Sequence, residues 1–154
     1  MSKKELTIDH ALRATWQAVT KMYNEQAAQF DVTMATGFAL LSIDPHEGTP
    51  STALGPRMGM EATSLSRTLK SMEERGLIQR KPNPADGRGV LIHLTEFGLK
   101  NRELSKEKVL RFNEVVHETV DEVKIKHFFD VIHAINDLIQ NKKIYNQQEK
   151  VNNE

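Results

Sequence analysis

Thr63, Ser64, Ser66, Arg67, Lys70 and Ser71 fall within nine residues, and no carboxylate interrupts the run from Ala62 to Met72. At helical spacing Ala62, Leu65, Leu69 and Met72 form one apolar stripe. Thr63, Ser64, Arg67, Lys70 and Ser71 then share the opposite face, with Ser66 near its edge. Short hydroxyls and long cations donate hydrogen bonds to phosphate oxygens and base edges, whereas an acidic group on that face would be repelled by a phosphate backbone. A helix that is merely solvated usually mixes both signs of charge. Arg67 is the candidate for a major-groove contact, either to guanine N7 and O6 or to a phosphate. Lys70, one turn further on, is a candidate phosphate partner. Thr63, Ser64 and Ser66 could donate to phosphates or bases, or serve only as local caps.

The surrounding punctuation gives this helix a setting. Leu12, Trp16, Val19, Tyr23, Ala27 and Phe30 recur at helical spacing and predict a long first helix over about 7–29. A second helix follows Asp31, with Thr33 as its cap, and ends at the breaker run Asp44-Pro45-His46-Glu47-Gly48. Thr49-Pro50 reads as a cap followed by proline at the first helical position, opening a third helix toward Met58. Pro56 disturbs it, so that the helix starts nearer Leu54 or bends there. Amides and dipole at this helix start, around Thr49, Ser51 and Thr52, could hold a phosphate. Gly59 then makes the short turn that sets two helices at a large angle, and Gly76 ends the hydroxyl-rich helix. Leu77–Lys81 and Val90–Leu94 predict two strands, with Asp86-Gly87 as the hairpin turn and Pro82 and Pro84 stiffening the ascending arm. Thr95 caps a helix to about Glu118, and Thr119 with Glu122 forms a capping box that opens a last helix through Ile139. The tail beyond Lys142 is polar.

The chain has 154 residues, no cysteine and a net charge of zero. It is long enough for a core without disulfides, and thiolate catalysis, cysteine zinc sites and cysteine redox switches are excluded. No apolar run is long enough to span a membrane, and the N-terminus has no export signal, so a cytoplasmic location is the default expectation. Zero net charge argues against nucleic acid until it is sorted by region. Residues 51–95 carry seven cations (Arg57, Arg67, Lys70, Arg75, Arg80, Lys81, Arg88) against four anions (Glu61, Glu73, Glu74, Asp86), net +3. The remainder carries fourteen cations and seventeen anions, net −3. The positive part coincides with the helix-turn-helix and its hairpin. Arg57, Arg80 and Lys81 could equally be solvated.

The chain resembles the MarR family of bacterial transcription regulators over nearly its whole length. The resemblance is carried by Leu54-Gly55, by Met58-Gly59-Met60, by Ser64, Ser66 and Arg67, by Glu74-Arg75-Gly76-Leu77-Ile78, by Asp86 with Arg88, and by Leu94-Thr95 with Gly98. It implies a mainly α fold with a small β wing, a winged helix-turn-helix module flanked by N- and C-terminal dimerisation helices. Residues 31–96 would form the DNA-binding module, 1–30 and 97–145 the dimerisation region, and 146–154 a polar tail. It also implies a homodimer on double-stranded DNA, with Arg88 entering the minor groove and Asp86 holding its guanidinium. The family's wing usually has two adjacent arginines after its Asp; Gly87 replaces the first here and makes the tip more mobile. Pro56 stands where a polar helix former is more usual. The paired bulky residues Phe128-Phe129 and Val131-Ile132 make the last helix's apolar surface broader than one packing face requires, which independently favours self-association.

Family members commonly respond to small molecules, often aromatic or phenolic acids, in a crevice between the dimer helices and the winged module, for which Trp16, Tyr23 and Phe38 are the candidates; aromatics at helical spacing also serve simply as core. Lack of cysteine removes the peroxide-sensing mode known in part of the family. His10, His117, His127 and His133 form no ligand cluster, so no metal and no cofactor are expected. Without a nucleophile and base, a phosphate-binding glycine loop or metal-ligand spacing, an enzyme is the weakest reading. The reading is a dimeric, sequence-specific regulator, a repressor on a pseudopalindromic operator released by a small molecule. The alternative is a winged-helix protein-interaction module without specific DNA binding.

Overall fold

The computed structural model describes residues 6–145, with every side chain among them except that of Arg88. In chain order the elements are α1 (Ile8–Ala28), α2 (Met34–Ser42), β1 (Thr49–Pro50), α3 (Ser51–Met58), α4 (Ala62–Glu74), β2 (Ile78–Asn83), β3 (Asp86–Leu94), α5 (Glu96–Thr119) and α6 (Glu122–Gln140). They fall into two compact units, one up to Leu110 and one from Arg111 onward. The tail expected over 146–154 lies outside the described residues.

Local chemistry sets most boundaries. The Thr33 hydroxyl accepts a hydrogen bond from the Thr36 amide at 3.2 Å and starts α2. Asp44 then folds the chain back: its carboxylate accepts from the amides of His46 and Glu47, each at 2.8 Å. These amides, Glu47 first, hold the Asp44 carboxyl below its ordinary pKa, because they favour the charged form. Gly59 closes α3 in the left-handed region at φ 61, where a side chain would be strained, and the Met60 amide reaches back to the Gly55 carbonyl at 3.0 Å.

Four boundaries differ from the sequence expectation. Thr49 does not cap α3; Thr49-Pro50 forms a short edge strand, Thr49 opposite Ile92 and Pro50 opposite Leu91. The buried Thr49 hydroxyl instead accepts from the Asp44 amide at 2.8 Å. The helix begins at Ser51 and runs through Pro56 to Met58, so tertiary packing offsets the hydrogen bond that the proline cannot donate. The hairpin turns at Pro84-Ala85, not at Asp86-Gly87: Asn83 pairs with Asp86, and the Asn83 side-chain oxygen accepts from the Ala85 amide at 3.0 Å. Between the Pro82–Val90 and Asn83–Asp86 pairs, Gly87, Arg88 and Gly89 are left out of the ladder as a bulge. Finally, α6 is capped by Asp121, whose carboxylate accepts from the Val123 amide at 2.8 Å, and α5 runs through Thr119.

The strands order as β1-β3-β2, all antiparallel, with β3 central. Leu40 and Ile43 of α2 and the loop after it, Leu54 of α3, Leu65, Leu69 and Met72 of α4, Leu77, Ile78 and Ile92 make one buried cluster. Ala62, expected on this stripe, is exposed, because it sits at the first residue of α4, ahead of the turn that meets the core. The junction of wing and α5 is tied by Thr95, whose hydroxyl donates to the Gly76 carbonyl and accepts from the Gly98 amide at 3.0 Å. A Cβ at residue 98 would collide with the Leu77 carbonyl oxygen, so glycine is required where α5 passes the link between α4 and β2. In the second unit no residue of α6 is buried; Phe128 and Phe129 stack edge to face, and Val131 and Ile139 are also open.

Candidate nucleic-acid interface

α4 buries Leu65, Leu69 and Met72 and thereby turns its other side outward. Thr63, Ser64, Ser66, Arg67, Lys70 and Ser71 are all exposed, and none of these positions carries a negative charge. The helix starts from Glu61 without a side-chain cap, so Thr63, Ser64 and Ser66 are not used as its cap. Thr68 is occupied differently: its hydroxyl donates back to the Ser64 carbonyl at 3.1 Å. Ser51 opens α3 and is half-buried, Thr52 beside it is exposed, and Thr49 is committed to Asp44.

Several cations of the positive segment have structural partners. Arg57 donates to the Ser42 carbonyl at 3.2 Å, tying α3 to the end of α2. Arg80 pairs with Glu73 at 3.3 Å and joins the wing to α4. Arg75, which ends α4, reaches Asp31 at 3.9 Å. Arg67 and Lys70 are in none of the ion pairs found among the described residues. On the wing, Asp86 is exposed and opens β3, with its carboxylate close to Gly89. The Arg88 side chain, and hence its expected pairing with Asp86, lies outside the described residues.

A separate crevice of about 480 Å³, open solvent included, lies among α1, α2 and the first half of α5. Tyr23 and Phe38 both line it and meet edge to face with centroids 5.8 Å apart. Burial pushes the Tyr23 phenol above its ordinary pKa, so it remains a neutral hydroxyl. Trp16 is not among the lining residues and is 54% exposed on α1. Sequence reasoning missed most of the rest, including Phe30, Met34, Leu104 and Lys108. These positions come together only when three helices pack, and each alone reads as ordinary core or solvated surface.

A helix-turn-helix seated on a three-stranded sheet, with its second helix turned outward beside a hairpin, defines a winged helix-turn-helix protein. The family model for the MarR family matches residues 32–90. The organic hydroperoxide resistance transcriptional regulator of Bacillus subtilis is 34% identical over 108 residues, 70% of this chain and 71% of that protein. The chain belongs to the MarR family, whose similar curated members are transcriptional regulators. The fold agrees with solved structures. MepR of S. aureus, in a DNA complex, superposes with a TM-score of 0.79 at 19% identity, covering 88% of this chain and 99% of that one. PcaV of Streptomyces coelicolor, in complex with its natural ligand, gives 0.73 at 24% identity over 89% and 98%.

Proposed function

We propose that this regulator works as a homodimeric repressor that binds a pseudopalindromic operator through α4 and is released by a small aromatic effector. The observation that carries the DNA contact is the exposed face of α4, which is free of carboxylates over its first three turns, up to Met72. Arg67 contacts guanine or phosphate in the major groove, Thr63, Ser64 and Ser66 donate to backbone or base edges, and Lys70 adds a phosphate contact. Ser51 offers its hydroxyl at the start of α3. Arg88 reaches the minor groove from the wing, with Asp86 orienting it. Residues 31–96 serve as the DNA-binding module, and 1–30 with 97–145 as the dimerisation region. Supporting that division, Leu12 and Trp16 of α1 and Phe128, Phe129, Val131 and Ile139 of α6 are exposed within a single chain, and a second copy would cover such surface.

The effector site is the crevice lined by Tyr23 and Phe38, where apolar walls and a neutral phenol suit an aromatic ring. Trp16, exposed outside that lining, is assigned to the dimer surface instead. The B. subtilis relative is named for organic hydroperoxide resistance, but this chain has no cysteine, so a thiol cannot be its sensor. No described helix is long and apolar enough to cross a membrane, and a regulator of this kind works in the cytoplasm. Titration onto genomic fragments, the gene's own upstream region included, at two salt concentrations tests the reading. Sequence-selective binding that weakens steeply with salt is expected. Weak binding that is uniform across fragments would instead favour a protein-interaction module.

A further inference from the structure

Glu61 holds the N-cap of α4, the position where a serine, threonine or aspartate folds its side chain back onto the helix amides. The glutamate does not: its side chain makes no capping hydrogen bond, although its carbonyl accepts from the Leu65 amide at 3.0 Å. Glu61 is exposed, and it is in none of the ion pairs found among the described residues. Met60 before it packs against the core, and Ala62, Thr63 and Ser64 after it are short. Glu61 is therefore the longest exposed side chain at the N-terminal end of α4, the end whose residues meet base edges when such a helix enters the major groove.

A carboxylate at that end repels phosphates and costs affinity for any duplex. An amino group on a base offsets the cost. The ionised carboxylate only accepts hydrogen bonds, so it matches the N4 amino group of cytosine. It is opposed by N7 and O6 of guanine and by O4 of thymine, and it meets N6 of adenine only beside the acceptor N7.

We infer that Glu61 is a specificity-determining residue of the DNA interface, selecting a cytosine in each half-site by accepting a hydrogen bond from its N4 amino group. This rests on α4 entering the major groove. Arg67 supplies donors to the same surface, and Glu61 supplies the acceptor that its hydroxyls and cations lack.

Duplexes selected from a randomised pool by the full chain, and by its Glu61→Ala and Glu61→Gln variants, test the assignment. The wild type is expected to enrich a site with a cytosine in each half whose replacement costs about tenfold in affinity. Glu61→Ala should lose that preference alone. It should also bind a scrambled duplex about threefold more tightly than the wild type at low salt, because a repulsive charge is gone. Glu61→Gln both donates and accepts, and should turn the preferred cytosine into adenine. A glutamate that only stabilises the helix through its dipole would leave the preferred bases unchanged, and its loss would weaken specific and scrambled duplexes alike. That result, or a cytosine preference that survives in Glu61→Ala, overturns the role of Glu61 and leaves α4 as the reading helix. Enrichment of no site by the wild type overturns both.

Discussion

Arg67 stands exposed in the middle of α4, flanked by hydroxyls, and its face carries no carboxylate before Glu74 at the end of the helix. Its guanidinium has the planar fork that reads guanine, and Arg67→Ala is expected to cost about 1 to 3 kcal/mol on the specific operator. Anisotropy titrations on specific and scrambled duplexes check this: a loss confined to the specific site marks a base contact, an equal loss on both marks a phosphate contact, and no loss sinks the assignment. Both the type and the spacing of this residue were legible in the sequence, because a periodicity of 3.6 sorts side chains onto faces without help from the fold. The structural duties of Arg57 and Arg80 were not. An arginine bound to the Ser42 carbonyl fifteen residues away, or to Glu73 across the base of the wing, has the same local sequence as a solvated one.

The wing shows what is decided at the scale of an element. Asp-Gly is a strong hairpin signal, yet Asn83-Pro84 wins, since proline presets the turn and the Asn83 side chain closes it. The consequence is that Gly87, Arg88 and Gly89 bulge from β3, so Arg88 sits between two glycines beside the hairpin tip. Such a tip loses more conformational freedom on docking than a regular strand would. Replacement of Arg88 with Ala should therefore weaken DNA binding modestly and lower the slope of log affinity against log salt by about one. A slope unchanged from wild type would show that the wing stays off the DNA.

At the scale of the whole molecule, apolar surface is the deciding quantity. α6 buries none of its residues within the chain, and Phe128 is 54% exposed. Association between copies should make thermal stability depend on protein concentration. Sedimentation is expected to give twice the chain mass, and Phe128→Ser with Phe129→Ser to shift the protein toward monomer and reduce operator affinity with it. A wild-type protein that sediments as a monomer at micromolar concentration would remove the homodimer from the proposal.

Signals that act over a few residues were sufficient for the helix faces, the Thr33 and Thr95 caps, the Gly59 turn and the positive segment, because periodicity, capping and charge are short-range properties. Wherever two local signals competed, packing chose between them. Thr49 became a strand residue because β3 was there to pair with it, and α3 kept Pro56 because Leu54 and Met58 pack against the core. The crevice belongs wholly to the tertiary structure. It joins Tyr23, Phe38 and Lys108 across more than eighty residues of chain, and only the packing of α1, α2 and α5 places a lysine beside a phenylalanine ring.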